Sequence, residues 1–405
     1  MKKFFLVAAL FAITGLLVFQ GCSKDSSAPQ PVTSVSLGPN QVNVELGHST
    51  QITPTVNGHN KELRWYVSGV ENGNELVGQI SQNSPVTYTA PNWLPDPPAV
   101  EVRAVSVEDT TAYDSCMVTL TFNKLFVDAE NGNDADNGCI NLPFKTITHA
   151  MDEADTGIIV VVMPGVYDHD NGEEFPIGLS GLNITLVGMD WETCIIRGHG
   201  ETGYQPSVNV GGQGCKFRKF TVEPGLPEEP ASSVVVHVSG DDCLIDSLRT
   251  AYRGAFSVLR LDESENATIQ NNYFVVDDGE TWDRGYEIVF NNSGTVIRNC
   301  TVSGYFTGFF FNTDQDALVE GCVIEGNQIG VDLCCHESET SNPSPDFGGG
   351  ARGSAGGNSI RNNTQYGLMN ETYNVIFAKY NIWNNDPPVA GEDYHNTSSG
   401  GVVVE

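Results

Sequence analysis

Four segments decide the fold: VVVHVSGDDCLIDSLRT (Val234–Thr250), FSVLRLDESENATIQNNYF (Phe256–Phe274), YEIVFNNSGTVIRNCTV (Tyr286–Val302) and TGFFFNTDQDALVEGCVI (Thr307–Ile324). Each reads as a short apolar strand, a polar turn, and a second short strand with Asn, Ser, Cys or Gly near its middle. Aligned on Ile245, Ile269, Ile297 and Val319, they repeat in steps of 24, 28 and 22 residues. No helix-period stretch fits between them. A repeat of this length built from strands alone predicts coils that stack, because one coil cannot bury its own apolar face. The expectation is a parallel β-helix, whose long ridged surface suits an extended polymer.

The alternation inside the repeats sets the faces. With Val236, Val238, Leu259, Leu261, Ile288 and Phe290 pointing inward, His237, Arg260, Glu287 and Val289 point outward. His237 and Arg260 then lie side by side on neighbouring coils, with Tyr252 and Arg253 entering the same coil as Arg260. A β-eliminating lyase needs a base and a cation to offset a uronate carboxylate, so His237, Arg260 and Arg253 are the catalytic candidates. Asp241, Asp242, Asp262, Glu263 and Glu265 fall in successive turns and have the oxygen chemistry for Ca²⁺. The competing reading is that surface strands carry polar residues anyway, and the chain lacks the Arg/Lys-rich groove expected for an acidic polymer.

The loop DDGETWDRGYE (Asp277–Glu287) lengthens its coil. Trp282 and Tyr286 offer faces that stack on sugar rings, and Asp283 and Arg284 can hydrogen-bond hydroxyls, so these four are the ligand-binding candidates. Cys300 and Cys322 share a repeat position with Asn272. Two accounts stand for them: small residues stacked inside the coil, or a disulfide between neighbouring coils.

Upstream, residues 33–122 alternate apolar and polar positions in short runs (VNVEL, ELRWYV, VEVRAVS, CMVTLTF), which predicts a β-sandwich with Trp65 as a central anchor. Cys116 is the only cysteine in this stretch, so no disulfide forms within it. The opening VTSVSLGPN, the Gly47 turn, Trp65, VTYTAP and the closing VRAVS resemble bacterial immunoglobulin-like domains, which implies a stalk or spacer. Asn123 and Lys124 form the only linker, so the two domains are expected to abut.

The chain begins with Lys2 and Lys3, an apolar run from Phe4 to Phe19, and Gly21-Cys22, which is the pattern of a secretory segment. It resembles a bacterial lipoprotein signal (residues 1–21), with Cys22 as the lipidated residue and residues 22–32 as a tether. The expected location is therefore outside the cytoplasm, lipid-anchored at the outer membrane or cell surface, with no contact to the membrane beyond the lipid. The formal net charge of −31 argues against nucleic acid, and against a strongly anionic substrate unless cations bridge it.

Between the sandwich and the repeats, the run from Lys145 to Ala154 places Ile147, Ala150, Met151 and Ala154 on one helical face, which predicts a helix plugging the open end of the coil. The residues Val127, Asp128, Gly132, Asp134, Gly138, Pro143, Phe144, Thr146, Ile147, Ala150, Ala154, Pro164, Gly165 and Tyr167 resemble the start of a pectate-lyase-like family whose defining domain has no settled function. Gly348–Gly350, Gly356, Gly357, Asn358, Asn381 and Trp383 match the same family. The resemblance spans residues 125–405 and implies a right-handed parallel β-helix.

The oxygen-rich loop Asp128, Asn131, Asn133, Asp134 and Asp136 reads as a turn-building loop. Gly198-His199-Gly200, Asp241-Asp242 and Asn312-Thr313-Asp314 copy motifs of polygalacturonases in reversed chain order, which on stacked coils breaks the site. The function expected from sequence is a surface lipoprotein whose β-helix binds polysaccharide or another surface polymer. The alternatives are a carbohydrate-active lyase or hydrolase, and a spacer or adhesin.

Overall fold

A computed structural model of the chain describes residues 33–82, 85–95, 97–198, 206–223, 234–250, 257–276, 286–313, 316–334, 342–397 and 399–405. Cys22, Arg253, Trp282, Asp283 and Arg284 lie outside them. Of Tyr286 and Glu287 only the backbone is described.

The N-terminal part is built on strict alternation. In Ala99–Ser106 every second residue is buried, and the strand pairs antiparallel with Leu63–Val67 on one side and Tyr113–Thr121 on the other. Gln41–Glu45 completes this sheet in parallel with Tyr113–Thr121, and the short Val70–Glu71 strand forms the other edge. A second sheet contains Ser49–Gln51, Thr87–Thr89, Gly78–Ser81 and Gly73–Asn74. The sheets close on one core that includes Trp65, Val67, Tyr88, Val102, Cys116 and Val118. Trp65 is buried as the sequence implied, and the Tyr88 hydroxyl donates to the Val77 carbonyl at 2.9 Å.

From Lys124 onward the chain winds into coils with three parallel sheets. The first face has eleven strands from Lys124–Val127 to Gly401–Val403, the second has seven from Gly165–Tyr167 to Val323–Ile324, and the third has nine from Ile177–Leu179 to Tyr394–Asn396. The repeat alignment holds in register: Ile245 pairs with Ile269, Ile269 with Ile297, and Ile297 with Val319. All six residues read as inward-pointing are buried. Aromatic rings continue the third-face interior, with Phe290 and Phe311 stacked 4.3 Å apart.

Corners between faces demand left-handed backbone, and the sequence supplies it with Asn, Asp, Ser and Gly. Ser247, Asn271, Asn299 and Gly321 occupy one corner of successive coils with φ between 52° and 65°. Asn272, Cys300 and Cys322 follow as an internal stack, with Asn272 donating to the Cys300 sulfur at 3.7 Å. Cys300 and Cys322 are buried free thiols, so the stacking account holds for this pair. Burial pushes the Cys243 thiol up to about 12, which keeps it neutral.

The plugging helix is Ile147–Asp152, shorter than the run that predicted it, with Ile147 and Ala150 buried and Met151 and Ala154 packed at the edge of the core. Two carboxylates fix its start. Glu173 accepts from the Ile147 and Thr148 amides, and Asp134 accepts from the Lys145 and Thr146 amides. The Asn/Asp loop is therefore structural, since Asp128, Asn133 and Asp134 all receive backbone N–H groups. The loop also meets the N-terminal sheets, where Cys139 joins their core, Asn141 donates to Asn92, and Lys124 pairs with Glu45 at 2.9 Å. No helix among the described residues is long and apolar enough to cross a membrane.

Candidate functional site

The outer row of the third face runs, coil by coil, through Asn209, His237, Arg260, Val289, Phe310, Asp332, Met369 and His395. His237 and Arg260 are neighbours in register, as the alternation predicted. Their chemistry differs from that of a free base and a free cation. Asp262 Oδ2 lies 3.1 Å from His237 Nε2 and 2.6 Å from Arg260 Nε. The other ring nitrogen of His237 lies 3.1 Å from the Asn209 side-chain oxygen. Both ring nitrogens are thus covered by acceptor oxygens, and a substrate would have to displace Asp262 or Asn209 to reach one. Asp262 Oδ1 accepts from Asn291 at 2.7 Å, and Asn291 in turn accepts from Asn312 at 2.7 Å. Burial pushes the Asp262 carboxyl up, but the hydrogen bonds from His237, Arg260 and Asn291 outweigh it and hold the group well below the usual carboxylate range.

The candidate metal residues separate. Asp242 has φ +55° at a corner and takes a hydrogen bond from Gln213, while Asp241 accepts the Glu265 amide. Both serve turns, Asp262 serves the third-face network, and Glu263 is exposed with φ +58°. Among the described residues, no group of three or more His, Cys, Asp or Glu side chains is placed to hold a metal ion.

A register shift between Asp262 and Glu265 lets the strand end bulge, and beside it an open trench of about 850 Å³ crosses five coils. It is lined by Glu263, Ser264, Glu265, Asn291, Ser293, Thr313, Asp316, Asn342, Ser344 and Asn374. Every lining residue is a carboxylic acid, a carboxamide or an alcohol. Ser264 is 1% exposed, and its hydroxyl has no hydrogen-bond partner; the buried side-chain oxygen of Asn312, beside the trench, has none either. Asn291 belongs to both features, so trench and network share a wall.

Sequence reasoning missed most of this lining. One signal was present: Asp262, Asn291 and Asn312 each follow the last inward residue of their strand, in LD, FN and FN, and so occupy one repeat position. The contribution of Asn342, Ser344 and Asn374 came from coils outside the four aligned segments and left no comparable mark.

Further along the row the side chains are covered. Val289, Phe310 and Cys334 form a small buried cluster, and Asp332 is 8% exposed with no hydrogen-bond partner for its Oδ1. Burial, and then the charge of Glu371, push the Asp332 carboxyl up to about 7. Asp332 stands three coils from Arg260, roughly 14 Å at the usual strand spacing, too far to act on the same bond as Asp262.

Among solved structures, the chain is similar to a rhamnogalacturonan lyase at 14% identity, over 65% of this chain and 73% of that one, with a TM-score of 0.48. It is similar to the pectate lyase Pel9A at 15% identity, over 70% and 78%, with a TM-score of 0.46. A lacto-N-biosidase of Eubacterium ramulus matches at 11% identity, over 70% and 68%, with a TM-score of 0.37. These are distant likenesses to carbohydrate-active enzymes, in fold alone. No curated protein matches the chain. A family model matches residues 130–390, well over half of the chain, and the chain belongs to that family, DUF1565, whose description is "protein of unknown function".

Proposed function

We propose that the β-helix binds an extended, uncharged polysaccharide along the trench. The observation that carries this reading is the lining: five coils contribute carboxylates, amides and hydroxyls, with no Lys or Arg among them. Such groups hydrogen-bond sugar hydroxyls, and charged acceptors do so more strongly than neutral ones. Glu263 and Glu265 repel a uronate polymer, and the net charge of −31 adds to that repulsion. A lyase working through His237 and Arg260 would have to displace Asp262, which engages both. Trp282, Asp283 and Arg284, with Tyr286, remain the proposed stacking edge. Export, lipidation at Cys22 and an immunoglobulin-like spacer in residues 33–122 belong to the same proposal, which places the trench at the cell surface.

A second reading is hydrolysis, favoured by the three carboxylates on one trench. Glycoside hydrolases use two such groups flanking the scissile bond. One experiment separates the readings. The chain is incubated with neutral and uronate-containing polysaccharides while retention on the polymer, new reducing ends and unsaturated-product absorbance are followed. Retention on neutral polymers without product is expected. New reducing ends that disappear in Glu263→Gln or Glu265→Gln would make the protein a hydrolase, and unsaturated product would make it a lyase.

A further inference from the structure

A second cavity, about 450 Å³, opens on the outer face of the five-stranded N-terminal sheet. Arg64 and Tyr66 enter it from one strand, and Glu101, Arg103 and Val105 from the next. Arg103 lies opposite Tyr66 and Val105 opposite Arg64, so the two arginines are diagonal neighbours on one face. The Arg103 guanidinium carbon sits 3.7 Å above the Tyr113 ring, which fixes the fork in place. Its Nε–H is buried and has no hydrogen-bond partner.

The unpaired state is not a shortage of acids, since the chain has 51 acidic residues against 20 basic ones. In the β-helix, Arg197, Arg218, Arg260, Arg298, Arg352 and Arg361 each lie within salt-bridge distance of a carboxylate. Among the described residues, neither Arg64 nor Arg103 does. Two cations with no carboxylate in salt-bridge distance therefore line one cavity, with Glu101 as the one acid beside them.

We propose that this cavity binds a small carboxylate-bearing ligand with an apolar body. A guanidinium presents parallel N–H groups that match a planar carboxylate. Tyr66, Val105 and Val107 supply an apolar wall, in a cavity of the size that small-molecule sites occupy. Glu101 in the same lining opposes a doubly charged anion and so selects a monoanion over phosphate. The inference is independent of the trench, and it gives the N-terminal sheets a role beyond spacing.

Benzoate is the probe, titrated into the full chain by calorimetry and by ligand-observed NMR, with benzamide as its neutral isostere and inorganic phosphate as the dianion. Saturable benzoate binding is expected, with none for benzamide. Arg64→Ala should weaken it about tenfold or more, the scale of one lost charge-assisted hydrogen bond. Arg103→Lys keeps the charge but removes the planar fork, and should weaken binding by a similar factor with the melting temperature nearly unchanged. The proposal is overturned if benzoate does not bind at millimolar concentration, if benzamide binds equally, if phosphate binds more tightly, or if Arg64→Ala has no effect.

Discussion

Two stretches of one outer row behave in opposite ways. From Asn209 to Arg260 the third face is polar, half-exposed and tied together by Asp262; from Val289 to Asp332 it is buried. The strands, the register and the inward residues are alike in both. The lesson is that alternation tells which side of the sheet a residue occupies, not whether that side meets water. The two aspartates record the difference. Asp262 is surrounded by donors and held ionised, whereas Asp332 is covered, lacks a donor to Oδ1, faces Glu371 and holds its proton to about 7.

The largest expected effect tests whether the covered stretch equals true interior. Phe311 points inward and stacks on Phe290, while its neighbour Phe310 points outward and is still only 8% exposed. Phe311→Ala should destabilise the chain by about 4 kcal/mol in denaturant unfolding. Phe310→Ala should cost roughly 3 kcal/mol if the outer row is packed as its burial implies. A cost near zero for Phe310→Ala would erase the contrast between the two stretches.

Next come the aspartates, whose pH dependences have opposite signs. The unfolded chain releases the Asp332 proton near 4 and the folded chain near 7, so stability falls as pH rises across that window. Asp332→Asn should remove the slope and stabilise the protein by up to about 4 kcal/mol at neutral pH, with little effect at pH 4. Asp262 runs the other way. Its folded value is depressed, so its contribution is complete above the unfolded value near 4 and is lost as pH falls through the folded one. Asp262→Ala strands Arg260, His237 and Asn291, and at pH 7 should cost about 2 kcal/mol, since a quarter of the side chain meets solvent. Parallel pH–stability curves for the two variants would show that the stretches share one environment.

The fold was legible because coil stacking writes itself into spacing: Ile245, Ile269, Ile297 and Val319 recur at one position of successive repeats, and the helix at Ile147 announced its buried face. His237 and Arg260 were legible for the same reason. Their partner was harder to see, because Asp262 reads as one acid among many until the strand is known to run on to Glu265. The trench was hidden more deeply. It joins Glu263 to Asn374 across coils whose lengths vary, and a register shift that no residue type announces opens its end. The N-terminal cavity depends on which arginines lack an acid, a property of the folded surface that the count of charges conceals.

The smallest expected change in stability belongs to the trench, and it bears on function most directly. Glu263 and Glu265 are exposed, and neither side chain supports a turn as Asp241 does. The double change Glu263→Gln with Glu265→Gln should therefore shift unfolding by less than about 0.5 kcal/mol. Its effect on ligands should be larger. Neutral carboxamides are weaker acceptors for sugar hydroxyls than carboxylates, so retention on an uncharged polysaccharide should fall several-fold. The same change removes two negative charges from the wall and should raise affinity for a uronate polymer, most clearly at low salt. Those opposed shifts, read side by side at two ionic strengths, distinguish a trench that selects by charge from a surface that is merely polar. If both polymers respond alike, the selection lies elsewhere on the coil, and the edge around Trp282 and Tyr286 becomes the place to look.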